Sequence, residues 1–248
     1  MIGNDAEKLF DKKYTCPICE NEFTAKTVKS GKARLIKTEI DLRNVYEGIE
    51  PLKYDIILCP KCGYAALSRF FPTVTAVQEK YITEKITPNY KHIPETGDEY
   101  TFEQALNRYN IAFANAVVKV AKASEGAYLS LKSGWLCRSY KESLDPETEG
   151  YQESFQRIET MEKDYLKRAY DLFVKAVQSE SFPMCGMDEN TVDYLLAALA
   201  MEFGDYFDAS KLLSKLITSY SVSNRLKDKA RDAKEVLQAK MKEAGVEE

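Results

Sequence analysis

The stretch Cys59-Pro60-Lys61-Cys62-Gly63, echoed upstream by Cys16-Pro17-Ile18-Cys19-Glu20, decides how the rest of the chain is read. Each motif puts two thiols on one tight turn, and four thiolates from two such turns can close a tetrahedron around a metal ion. Proline after the first cysteine presets a turn-compatible φ and removes an N–H. The remaining amides are then available to the sulfurs. Gly63 permits a left-handed residue just past the second turn. Glu20 stands at that place in the first, which predicts a less regular turn there or strain shifted to Asn21.

The spacing is C-x2-C-x39-C-x2-C, so the middle interval must itself fold. Cys16, Cys19, Cys59 and Cys62 are the expected ligands of a closed, structural Zn²⁺ site, with a rubredoxin-like iron as the alternative. Reduced structural dithiols, or a redox pair at one motif, are the non-metal readings. Two proline-matched pairs favour a shared ion. Lys12 and Lys13 lead into the first turn. They either offset the charge of a tetrathiolate centre or belong to a solvated approach strand.

Within the interval, Val28, Leu35, Ile36 and Ile40 read as strand residues, broken at Ser30-Gly31 and Glu47-Gly48. The run Tyr54–Leu58 feeds directly into Cys59. A hairpin carrying one cysteine turn beside another is zinc-ribbon architecture. Lys26, Lys29, Lys32, Arg34 and Lys37 form a basic set read as one hairpin over 26–37. It is the candidate nucleic-acid contact, although it lacks the aromatic residues that stack on bases.

The string Tyr54-Asp55-Ile56-Ile57-Leu58-Cys59-Pro60-Lys61-Cys62-Gly63-Tyr64-Ala65 resembles the signature of a bacterial family of unknown function. That family joins an N-terminal, four-cysteine zinc-ribbon-like part to helices resembling tetratricopeptide repeats. The resemblance implies metal binding through Cys16, Cys19, Cys59 and Cys62. It implies no substrate or activity.

Beyond Gly63 the pattern turns helical. Val74, Val77, Tyr81 and Ile86 predict a helix entered near Pro72. Pro88–Tyr100, with Pro94 and Gly97, reads as a linker and contains His92, the single histidine of the chain. A loop histidine without a neighbouring nucleophile in sequence has no assigned role. Thr101-Phe102-Glu103-Gln104 is a capping box. The helix it opens carries Ala105, Leu106, Tyr109, Ala112, Phe113, Ala116, Val117 and Val120 as one expected apolar stripe.

Further helices are expected over 125–143, from Gly150 to about 180, over Asn190–Phe203, around Ala209–Leu216 and over 223–243. Ala169, Phe173 and Ala176 reproduce the spacing of the second helix of a tetratricopeptide repeat, and Ala209, Leu213 and Leu216 repeat the offsets. A plain helical bundle is the alternative. Cys137 reads as a small buried hydrophobe. Cys185, between Met184 and Met187, reads as part of an apolar loop rather than a Cu(I) site.

The fold expected is α+β and mostly α. A zinc-ribbon-like part with a trailing helix covers 1–87, a linker 88–100 and a helical-repeat part 101–248. Charge excludes a global attraction to nucleic acid or anionic membrane: 35 basic against 39 acidic residues give a net charge of −4. No signal peptide or spanning run is read. A reducing, cytoplasmic setting suits CxxC pairs as metal sites. The function expected is protein or peptide binding through the helical surface, with nucleic-acid binding and iron redox chemistry as alternatives. No catalytic constellation is apparent.

Overall fold

The computed structural model describes residues 5–92, 94 and 97–246. Residues 93, 95 and 96 of the expected linker lie outside it. Six short strands precede seven α-helices among the described residues. The fold is therefore α+β and mostly helical. Among the described residues, no helix is long and apolar enough to cross a membrane.

The strands form three antiparallel hairpins. β1 (Leu9–Thr15) pairs with β2 (Glu22–Val28), β3 (Leu35–Thr38) with β4 (Asn44–Tyr46), and β5 (Ile56–Leu58) with β6 (Ala65–Leu67). The basic residues read as one hairpin over 26–37 are thus divided. Lys26 lies in β2 and Lys37 in β3, on different hairpins. The reason is β1, which buries Leu9 and leaves most of its other side chains exposed. A strand with so little inward-facing surface gives no alternation signal, yet its backbone takes up the pairing that β2 needs. Leu35 and Ile36 stand exposed on β3.

β5 and β6 are buried on both sides, which is why the sequence reads as an unbroken apolar run there. Ile56, Leu58, Ala65 and Leu67 face a core built with Leu106 and Tyr109 of α2 (Phe102–Val118) and Leu136 of α3 (Ala123–Ser143). Ile57 and Ala66 face the cysteines. Side chains of α2 also reach the hairpin backbone. Arg108 donates to the Ile56 carbonyl at 3.0 Å, and Asn115 Nδ2 to that of Gly63 at 3.0 Å. The strand part and the helices share one core across the expected linker.

The α2 capping box forms in full: the Gln104 amide donates to Thr101 Oγ1 at 3.1 Å, and the Thr101 amide to Gln104 Oε1 at 2.8 Å. A second box, Thr75 with Gln78, starts α1 (Ala76–Lys85), so that helix is entered at Thr75 rather than near Pro72. The stripe expected on α2 is buried only in part. Ala105, Leu106, Tyr109, Ala112 and Ala116 are inside, Phe113 is half-buried, and Val117 and Val120 are 62% and 75% exposed.

α3 packs along α4 (Tyr151–Ser179). Gly134 lets them approach, since a Cβ there would come within 2.6 Å of Leu166 Cδ2. α5 (Glu189–Glu202), α6 (Tyr206–Thr218) and α7 (Asn224–Glu243) follow as successive packed neighbours. Ala169, Phe173, Ala176, Ala209, Leu213 and Leu216 are all fully buried in the core of this region. They are the residues that the repeat spacing singled out.

A charged network joins the β3–β4 turn to α3. Arg43, fully buried, donates to Glu39 at 3.2 Å, to Ser139 at 3.1 Å and to both carboxylate oxygens of Glu142. Arg138 pairs with Glu39, Asp41 and Glu162, and Trp135 Nε1 donates to Asp41 at 3.0 Å.

Candidate metal centre

The two cysteine turns close the β1–β2 and β5–β6 hairpins and have the same backbone pattern. In the first, the Glu20 amide donates to the Cys16 carbonyl at 2.9 Å, and the Cys16 amide to that of Asn21 at 3.0 Å. In the second, the Gly63 amide donates to the Cys59 carbonyl at 3.1 Å, and the Cys59 amide to that of Tyr64 at 2.8 Å. The fifth residue of each turn is left-handed, with φ +56° at Glu20 and +75° at Gly63. The first turn is as regular as the second, so the expected irregularity is absent and Glu20 itself carries the strain.

An L-residue in that conformation costs roughly 1–2 kcal/mol. Glu20 is exposed, with no packing to lose. Glu20→Gly is therefore expected to stabilise the protein by about 0.5–1 kcal/mol, seen as a higher urea midpoint. Gly63→Ala is expected to do the opposite. Beyond the φ strain, its new Cβ would sit 2.4–2.7 Å from Tyr90 Cγ, Cδ2 and Cβ, atoms that cannot swing clear as the tip of a side chain can. The combined cost is roughly 2–4 kcal/mol. An unchanged midpoint for Gly63→Ala would show that Tyr90 yields freely.

The turns bring all four sulfurs within 4.8 Å of one another. Cys16 and Cys62 are 3.6 Å apart, Cys19 and Cys59 3.7 Å. A tetrahedral thiolate centre with bonds of ~2.3 Å has edges of about 3.8 Å, so the donor set fits a tetrahedral ion. Cys16, Cys59 and Cys62 are buried and Cys19 half-buried. The Ile18 amide points at Cys16 Sγ at 3.4 Å.

The thiols also perturb one another. Hydrogen bonds from Cys16, then Cys62, pull the Cys59 thiol down to about 2. The bond to Cys59 is the main cause pushing Cys16 up, to about 12, and the bonds to Cys16 and Cys59 push Cys62 up as well. One thiolate is welcome in the cluster and its charge resists the next. A divalent cation removes that resistance.

Aromatic rings enclose the cluster. Tyr14, Phe23 and Tyr64 all pack on Phe71, Tyr64 most closely at 4.9 Å between centroids, and the Tyr64 hydroxyl donates to the Phe71 carbonyl. These rings were not singled out by the sequence, because an aromatic cage has no fixed spacing.

The other candidate residues are dispersed. Lys12 lies over the Tyr14 ring, and Lys12 and Lys13 are exposed on β1. Of the basic set, Lys26 pairs with Asp11, Arg34 with Glu47 and Lys37 with Glu39, while Lys29 Nζ donates to the Glu7 carbonyl. Lys32 is exposed in the connection to β3. His92 is exposed beside Tyr90. Burial raises the thiols of Cys137, to about 12, and Cys185, to about 11, and Cys185 donates to the Ser124 carbonyl.

Residues 9–237 match the family described as "Uncharacterized protein conserved in bacteria (DUF2225)". The chain belongs to this family. As a DUF2225 member it is also similar to an uncharacterized protein of Borreliella burgdorferi, 32% identical over 114 residues. That match covers 40% of this chain and 41% of the relative's own length. No solved structure matches the chain. The matched family region spans both cysteine turns and nearly all the helices, so strands and helices belong to one family unit.

Proposed function

We propose that the chain is a zinc-stabilised scaffold that binds a protein or peptide partner through its helices. The observation that carries the metal half of this reading is the set of four sulfurs brought within 4.8 Å of one another by two matched turns. With four protein ligands no position is left for water or substrate, which makes the role structural. In this reading residues 1–87 are ordered around the ion, 88–100 connect, and 101–248 form tetratricopeptide-like helical hairpins. The buried Ala169–Phe173–Ala176 and Ala209–Leu213–Leu216 sets support the repeat assignment, because small and apolar residues at those offsets let successive helices pack. Six free thiols suit a reducing compartment such as the cytoplasm.

Zinc is preferred to iron because no residue of the site suggests an electron-transfer partner. Elemental analysis of protein purified without added metal is expected to give one zinc per chain and a colourless solution. A coloured, iron-loaded protein would replace zinc by a rubredoxin-like centre. For the partner half, crosslinking in cells followed by co-purification is expected to return a stoichiometric protein. Recovery of nucleic acid instead, with a steep salt dependence, would transfer the function to Lys26, Lys29, Lys32, Arg34 and Lys37.

A further inference from the structure

α2 ends in a Schellman motif. The Val120 amide donates to the Val117 carbonyl at 3.1 Å, and the Ala121 amide to that of Ala116 at 2.9 Å. The left-handed position of that motif is normally glycine, and here it is Val120, with φ +52°. A β-branched residue there is a genuine outlier. Its side chain is 75% exposed, so burial does not offset the strain. Beside it, the ends of α2 and α4 and the start of α3 bound a groove of about 560 Å³. Its apolar lining includes Phe113, Ala116, Val117, Ala121, Ala123 and Leu172, and Val120 lies next to it in the chain, outside the lining.

The charged residues of the groove lining are Lys122, Lys175 and Glu180, a net positive charge. Lys122 and Lys175 are exposed at it, and neither has an acid within ion-pair reach among the described residues. The single acid of the lining, Glu180, is committed: it accepts from the Ser124 amide at 3.0 Å and from the Ser124 hydroxyl at 2.5 Å, capping α3. Nearby Glu125 is held by buried Lys119 at 2.7 Å.

We infer that this groove docks an acidic, apolar segment of a partner protein, with Val117 and Val120 contacting its apolar side chains and Lys122 and Lys175 its carboxylates. The inference rests on the scaffold reading and names the site and the chemistry of its partner. Two separate features lead to it: an exposed valine kept where glycine would be more stable, and unpaired lysines flanking an apolar floor.

The test is fluorescence anisotropy on the full, metal-loaded chain. The probe is a labelled peptide of leucine and glutamate at helical spacing, and the control has lysine for every glutamate. The acidic peptide is expected to bind at least about tenfold more tightly than the basic one, a difference of about 1.4 kcal/mol. Lys122→Glu combined with Lys175→Glu should reverse that preference. Val120→Gly should raise Tm by about 2–4 °C while weakening the acidic peptide several-fold, a divergence that a purely structural valine would not produce.

Equal binding of the two peptides, or no binding of either, overturns the inference. So does an acidic peptide held unchanged by every groove variant, but that outcome leaves the scaffold reading standing with its surface elsewhere. Dimerisation of the wild-type chain that Val117→Glu abolishes would assign the groove to a second copy and overturn the inference as well. The scaffold reading itself falls by a different result, failure of any protein to co-purify.

Discussion

Cys59→Ser is expected to abolish metal binding and to unfold the strand part of the molecule while leaving α5–α7 folded. Cys59 is fully buried and contacts Cys19. A serine hydroxyl is a poor substitute for thiolate at such a site. Structural zinc supplies roughly 10–16 kcal/mol in small metal domains, more than the marginal stability of most folds. The β1–β2 hairpin meets β5–β6 through the four thiols and the Phe71 cage, so losing an ion held there would remove the main tie. The core of α3 to α7 contains no residue of the cysteine turns. Hydrogen exchange with elemental analysis reads this directly. Amides of β1, β2, β5 and β6 should lose protection, and those of α5–α7 should keep it. Full metal occupancy in the variant would refute the ligand assignment. Loss of protection throughout α5–α7 would show that the shared core at β5–β6 and α2 makes the chain one cooperative unit.

The second large effect is expected from Arg43→Ala, at about 3 kcal/mol, because a fully buried guanidinium and its charge-assisted hydrogen bonds are lost, although Glu142 is half-exposed and Glu39 keeps Arg138 and Lys37. The substitution leaves Glu39, Glu142 and Ser139 without their common donor. It also exposes Glu50 to an uncompensated site. Burial pushes the Glu50 carboxyl above the usual carboxylate range, against hydrogen bonds from Ser139 and the Leu52 amide and the charge of Arg43. Glu39 is the reverse case: burial alone would raise it, but the Arg138 hydrogen bond and the charge of Arg43 hold it below its usual value. The sign of the pH dependence follows. A raised carboxyl loses stability as pH climbs from its unfolded value through its folded one, and a depressed carboxyl contributes stability only above its folded value. Removing Arg43 raises both. The deficit should therefore be small in acid, where the carboxyls are protonated, and full at neutral pH. Urea midpoints across that range test it, and a deficit independent of pH would reduce Arg43 to a packing residue.

The sequence carries the cysteine turns plainly because a turn is local: Cys, Pro and Cys at fixed offsets specify geometry without help from the rest of the chain. The helices are equally legible. Thr101 and Gln104 cap each other within one turn, and the residues 169, 173 and 176 lie one helical turn apart. What depends on distant partners is not legible. β2 pairs backward with β1, which shows almost no inward-facing surface, so the residues 26–37 read as a hairpin that does not exist. Lys26, Arg34 and Lys37 look like an uncompensated basic run until Asp11, Glu47 and Glu39 are placed beside them. Arg43 and Glu142 are far apart in sequence, and neither is marked as special by its neighbours. Glu20 could not be read as left-handed, since its residue type argues against it and only the match to Gly63 requires it.

The two-sided burial of β5 and β6 has a consequence for the nascent chain. Synthesis runs from the N-terminus, and all four cysteines have been made before α2 begins. Ile56, Leu58, Ala65 and Leu67, which later face α2 and α3, must then wait uncovered on the ribosome. Their other face, with Ile57 and Ala66, can close against the cysteine turns at once. Cellular metal supply would in this way act at the moment of translation, setting how long a bare apolar strand pair remains open to chaperones or aggregation before its helices arrive.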